Sequence, residues 1–72
     1  MTKRLLPVSG MDMERVFSKV GFVFIRQKGS HIVLSRGEEI LIVPHHSPVE
    51  KGTERDLFKE SGLIIEEFNR LL

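Results

Sequence analysis

The 72-residue chain contains no cysteine. Disulfides, thiolate chemistry and cysteine-based zinc sites are therefore excluded, and the composition suits a reducing compartment. No apolar run approaches the roughly 20 residues that a membrane-spanning helix needs. Met1 to Pro7 carries Lys3 and Arg4 with no long apolar stretch after them, which argues against a signal peptide. A cytoplasmic protein is expected. The glycines, at 10, 21, 29, 37, 52 and 62, are too scattered for a phosphate loop of the Walker type. No carboxylate stands at a recognisable ligand spacing from the three histidines, so no metal or other cofactor is expected. Repeats, low-complexity segments and linkers are also missing, and the length allows one domain over 1–72. A domain this small buries only about 60% of the surface its unfolded chain exposes, so a partner or a homo-oligomer would help its thin core.

What the chain does have is a lopsided charge. Residues 1–36 hold seven cations (Lys3, Arg4, Arg15, Lys19, Arg26, Lys28, Arg36) against Asp12 and Glu14, a balance of +5. Residues 37–72 hold four cations and eight acids, a balance of −4. A basic half suggests a polyanionic partner; the plainer reading is a solvated basic face and an acidic tail.

Ser9 can cap a helix over 10–20, with Asp12 in its first turn and Gly21 at its end. Met13, Val16, Phe17 and Val20 recur at i, i+3, i+4, i+7 and make one apolar stripe. Residues 22–28, 31–36 and 40–43 read as three strands, joined by turns at Gly29-Ser30 and Gly37-Glu38 and stopped by Pro44. Short links make an antiparallel meander the simplest topology. The strands at 22–25 and 40–43 are apolar at consecutive positions, where a sheet covered on one face should alternate. Cover of the second face by another chain would account for this. Residues 45–52 read as a loop. Thr53 is expected to cap a second helix over 54–61 with Leu57 and Phe58 inward and Gly62 closing it. A short third helix over 63–72 is expected to pack on the core through Ile64, Phe68, Leu71 and Leu72. The fold class is α+β, with both main helices on one face of a three-stranded sheet.

His31 is the residue best placed for chemistry. It follows Gly29-Ser30 at the head of a strand, with Arg26 and Lys28 on the paired strand. Imidazole is the side chain whose unperturbed pKa, about 6.5, lets it exchange protons at neutral pH. Gly29 permits close approach of a ligand, and the Ser30 hydroxyl can donate to a phosphate oxygen. The plainer reading is a polar strand-start residue that bonds locally. His45 and His46 are adjacent, so on an extended segment they point opposite ways and do not share one ion with His31. One of the pair could approach His31, and two imidazoles can act as base and acid in cleaving RNA through its own 2′-hydroxyl. Ser30 with His31 is no triad, because neighbours at a strand edge diverge and no orienting acid is evident.

These pieces resemble a known family. Pro7-Val8-Ser9-Gly10, Val20-Gly21-Phe22, Arg26-Gln27-Lys28-Gly29-Ser30-His31, Val43-Pro44-His45-His46 and Lys51-Gly52-Thr53 run in the order found in HicA-like (YcfA-like) mRNA interferase toxins of prokaryotic toxin–antitoxin systems, and they cover nearly the whole chain. The resemblance implies a double-stranded-RNA-binding-domain-like α-β-β-β-α fold with a short C-terminal helix. It implies a metal-independent endoribonuclease that cleaves mRNA and is neutralised by a HicB-like antitoxin. The family's catalytic histidine falls on His31 and its second histidine on His46. Arg26, Lys28, Gly29 and Ser30, with Arg4, would then position phosphate. Gly52-Thr53-Glu54-Arg55-Asp56 mixes one cation with two acids, which favours single-stranded over duplex RNA. Two other readings stand beside this one: a non-catalytic RNA-binding module and a protein-interaction module on the same fold.

Overall fold

Ser9 begins the first element as expected. In the computed structural model, which describes residues 8–72, its Oγ accepts from the Asp12 backbone N–H at 3.1 Å while the Asp12 carboxylate accepts from Ser9 N–H at 3.3 Å. This reciprocal capping box starts α1, Gly10–Lys19. Gly10 is needed there for a second reason: a Cβ at this position would collide with the Pro44 carbonyl oxygen. Pro7, the first residue of the expected helix lead-in, lies outside the described residues, as do Lys3 and Arg4.

Gly21, at φ +103°, turns the chain into β1, Val23–Lys28. Then follow β2, His31–Arg36, and β3, Glu39–Pro44, in an antiparallel sheet of order β1-β2-β3. Both hairpins have two-residue loops that open with a glycine, Gly29 at φ +59° and Gly37 at φ +60°. A positive φ at the first loop position matches the right-handed twist of the flanking strands. Thus the meander forms from local turn chemistry.

The helices cover one sheet face. Ile32 and Leu34 of β2 and Leu41 and Val43 of β3 are buried against α1 and the later helices, while Ile40 and Ile42 point away and are about half exposed. β3 therefore alternates in burial despite its unbroken apolar sequence. All of β1 is exposed, because it is an edge strand beyond the reach of the helices. Its apolar run has a different cause, a bulge at Ile25 described below.

Two expectations are corrected in the second half. Helix α2 spans Lys51–Ser61, three residues longer at its start than expected, and Thr53 lies inside it. Its N-cap is Glu50, without a side-chain capping bond. A tertiary anchor sets the start instead: Val49 is buried, and its N–H donates to the Val8 carbonyl at 2.8 Å. Gly62 closes α2 in the left-handed conformation, at φ +76°. Helix α3 spans only Ile65–Leu71. Phe68 is fully buried and Leu71 partly so, but Ile64 and Leu72 are exposed, because they cap the two ends of so short a helix. Leu63 is buried in their place.

Phe68 closes the core. Its ring meets Phe17 and Phe58 edge-on, with centroids 6.4 and 4.9 Å apart, and Phe17 meets Phe22 at 5.9 Å. Such pairs add about 0.5–1.5 kcal/mol each beyond area burial. Arg36 binds the far end of the domain together. Its guanidinium donates to the Val20 carbonyl at 3.1 Å and the Ser61 carbonyl at 2.9 Å, where α1 and α2 end. It also pairs with Glu39 at 2.8 Å and lies 4.3 Å from the centre of the Phe22 ring.

Candidate functional site

The β1–β2 hairpin and the end of β3 form the site. The two-residue turn fixes Lys28 opposite His31, and β3 places Pro44 on the other side of His31. Directly paired residues of neighbouring strands share a face. Arg26 is paired with Val33, two residues from His31 on the same strand, so Arg26, Lys28 and His31 all lie on the outer face, away from the helices.

A bulge at Ile25 changes which β1 residues share this face. The pairing shifts by one residue between Phe24 and Arg26. Below the shift, Arg26 and Lys28 face outward beside His31. Above it, Phe24 is opposite Leu34 and Val23 opposite Ser35. A regular ladder set by the hairpin would have put Ile25 opposite Leu34 and turned Phe24 outward. One extra residue therefore lets a single strand serve both the site and the inner face.

The charges are sorted by the same geometry. Arg15 pairs with Asp12, Arg36 is held by Glu39 and two carbonyls, and Lys19 donates to the Leu71 carbonyl at 2.7 Å. Among the described residues, Arg26 and Lys28 make no ion pair and are exposed, as is His31. No acid occurs between Glu14 and Glu38 in the sequence, so β1 and β2 carry none. The basic half thus reduces, in the described residues, to two uncompensated cations beside one imidazole. Arg4, the third expected phosphate contact, lies outside the described residues.

The other two histidines follow Pro44, the residue paired with His31. The His45 N–H donates to the Ser30 carbonyl at 2.6 Å and so ties the loop after β3 to the hairpin. Its Nδ1 lies 3.4 Å from Gln27 Nε2, which also donates to the Gly29 carbonyl at 3.1 Å. Gln27 is paired with Ile32, a helix-facing residue, so His45 is on the opposite side of the sheet from His31. The His46 carbonyl accepts from Gly10 N–H at 2.8 Å, and its exposed imidazole makes no hydrogen bond among the described residues. His46 and His31 are not in hydrogen-bond contact. Among the described residues no three His, Asp or Glu side chains cluster as metal ligands would. Sequence reasoning missed Gln27 as a hairpin brace; its place two residues before a turn glycine was the available signal. Gly29 and Ser30 form the turn itself, and a Cβ added at Gly29 would meet nothing within 4 Å, so the tip is open.

This arrangement puts two cations at one end of an exposed strand pair, with an imidazole between them and the next strand. The sequence matches the family described as HicA toxin of bacterial toxin–antitoxin over residues 10–63. A solved chain titled as a toxin–antitoxin complex from Streptococcus pneumoniae is 30% identical, with a TM-score of 0.70. The likeness covers 79% of this chain and 100% of that one. The search of curated proteins finds no match.

Proposed function

The chain belongs to the HicA toxin family of bacterial toxin–antitoxin systems, and from that premise we propose that it is an endoribonuclease that cleaves mRNA with His31 as general base. In its neutral form His31 takes the proton from an RNA 2′-hydroxyl. The 2′-oxygen attacks the adjacent phosphorus, the bond to the 5′-oxygen breaks, and the products are a 2′,3′-cyclic phosphate and a 5′-hydroxyl. Charge growing on the phosphate oxygens is met by Lys28 and Arg26, and the Ser30 hydroxyl can donate to one of them. His46, which occupies the family's second histidine position, is the candidate to return a proton to the departing oxygen. The reaction as written uses no metal ion.

The observation that carries this reading is that Arg26, Lys28 and His31 share one exposed face of β1 and β2, two strands that carry no acid. A single strand fits the open hairpin tip, and phosphate contacts supply its affinity. The partner that silences the toxin is a HicB-like antitoxin. It would cover the outer face, where the half-exposed Val23, Ile40 and Ile42 adjoin the cations. Cytoplasmic location follows from an mRNA substrate.

The test is induced expression of the chain and of His31→Ala in a bacterial host, with growth and a reporter mRNA followed together. General-base catalysis is worth roughly 10²–10⁴-fold, so only the parent should arrest growth and deplete the mRNA. Arrest by both would make the toxicity a matter of binding.

A further inference from the structure

A second charged surface lies on the helix layer, apart from His31. Because α2 begins at Lys51, Lys51, Arg55 and Lys59 stand at i, i+4 and i+8 along one side of it. At a rise of 1.5 Å per residue they are spaced about 6 Å apart along the axis. All three are exposed, and none makes an ion pair among the described residues. They flank a groove of about 900 Å³ whose floor is Phe58, Leu63 and Ile64. Ile64 is 55% exposed, although its place in the apolar pattern suited the core. The acids of α2 are elsewhere: Glu54 is buried, and Asp56 and Glu60 line a different groove beside Ile40 and Ile42.

The geometry points to this groove as a docking site for an acidic amphipathic helix of a partner protein. The apolar face of such a helix covers Ile64 and Leu63, and its flanking carboxylates meet the three cations. RNA fits less well. Single strands bound through their bases use exposed aromatic platforms, and the one aromatic ring here, Phe58, is only 7% exposed. None of the groove residues belongs to the His31 site, so the proposal stands without the proposed cleavage activity.

The experiment uses the full-length His31→Ala protein and a labelled 18-residue helical peptide, with leucines at i, i+3, i+7 and i+10 and glutamates on both flanks, read by fluorescence anisotropy. Two probes serve as comparison: the same peptide with every Glu replaced by Lys, and a 20-nucleotide single-stranded RNA. Binding of the Glu peptide alone, weakened about tenfold or more by Arg55→Glu with Lys59→Glu and again by Ile64→Asn, supports the site; a tenfold loss equals about 1.4 kcal/mol. These side chains are exposed, so melting temperatures should hold and separate lost binding from lost fold. Equal binding of both peptides, or no binding of either, overturns the proposal. So does an RNA affinity that falls with the charge reversals while the Glu peptide is unaffected.

Discussion

Replacing Arg36 by alanine should destabilise the domain more than any other change to an arginine or lysine described above. The side chain donates two hydrogen bonds to carbonyls at the ends of α1 and α2, 3.1 and 2.9 Å long. A hydrogen bond from a charged donor is worth about 1.5–3 kcal/mol. The side chain is 35% exposed, so the lower end applies and the two together give about 3 kcal/mol. The stacking on Phe22 adds about 0.5–1 kcal/mol, and the ion pair with Glu39, exposed on both sides, adds little. Water can reach part of the vacated space, which returns some of this, so the net loss should be about 2–3 kcal/mol. At about 4–8 °C per kcal/mol for a domain of this size, thermal unfolding followed by far-ultraviolet circular dichroism should shift down by about 10–20 °C. Arg36→Lys keeps the charge but not the planar fork, so it can serve one carbonyl and should fall between. A shift below about 3 °C for the alanine variant would refute the reasoning, and Arg36 would rank with Arg26 and Lys28 as an uncompensated cation.

Glu54 and Phe68 offer independent checks. Burial pushes the Glu54 carboxyl above the usual glutamate range, while Lys51 pulls it down less strongly. One of its oxygens, Oε2, has no hydrogen-bond partner among the described residues. The native state therefore binds this proton more tightly than the unfolded chain, and its contribution to stability is complete below the ordinary glutamate pKa of about 4.3 and lost as pH rises through the raised value. Glu54→Gln should accordingly gain in melting temperature over the parent as pH rises from about 4 to neutrality; a gap that is constant or shrinks would contradict the assignment. Phe68→Ala should cost about 3–5 kcal/mol, close to the whole stability of a small domain. Retention of a sharp melting transition near that of the parent would show that α3 is not part of the core.

Elements closed by local chemistry were readable in the sequence. The Ser9 cap, the glycine-led hairpins and the left-handed Gly62 each need only a few neighbouring residues, and each stands where expected, while the return bond from Ser9 N–H to the Asp12 carboxylate adds to the cap. Elements set by distant contacts were not. The start of α2 depends on Val49 meeting Val8, with no capping side chain to announce it. Ile64 fits the apolar period of α3 but lies before its first turn, so periodicity alone placed it inside. The apolar run from Phe22 to Ile25 suggested a sheet covered on both faces; part of it is instead the bulge, which breaks the alternation without burying Ile25. At the site, the turn and the pairing of Lys28 with His31 followed from hairpin length. The separation of the basic residues into structural ones, such as Arg36, and uncompensated ones, such as Arg26 and Lys28, did not, because a cation's partners are carbonyls and acids brought in from other elements. The two later histidines illustrate the same limit: their adjacency in sequence led to the expectation that they point opposite ways, but which side His45 takes is visible only from its contact with Gln27.

The most direct test of the central claim is to incubate the purified protein and its His31→Ala form with end-labelled single-stranded RNA in the presence of EDTA and identify the new termini. If His31 is the general base, the parent alone cleaves, leaving a 2′,3′-cyclic phosphate and a 5′-hydroxyl. Cleavage by His31→Ala at the parent's rate, or products that end in a 5′-phosphate, would contradict that claim.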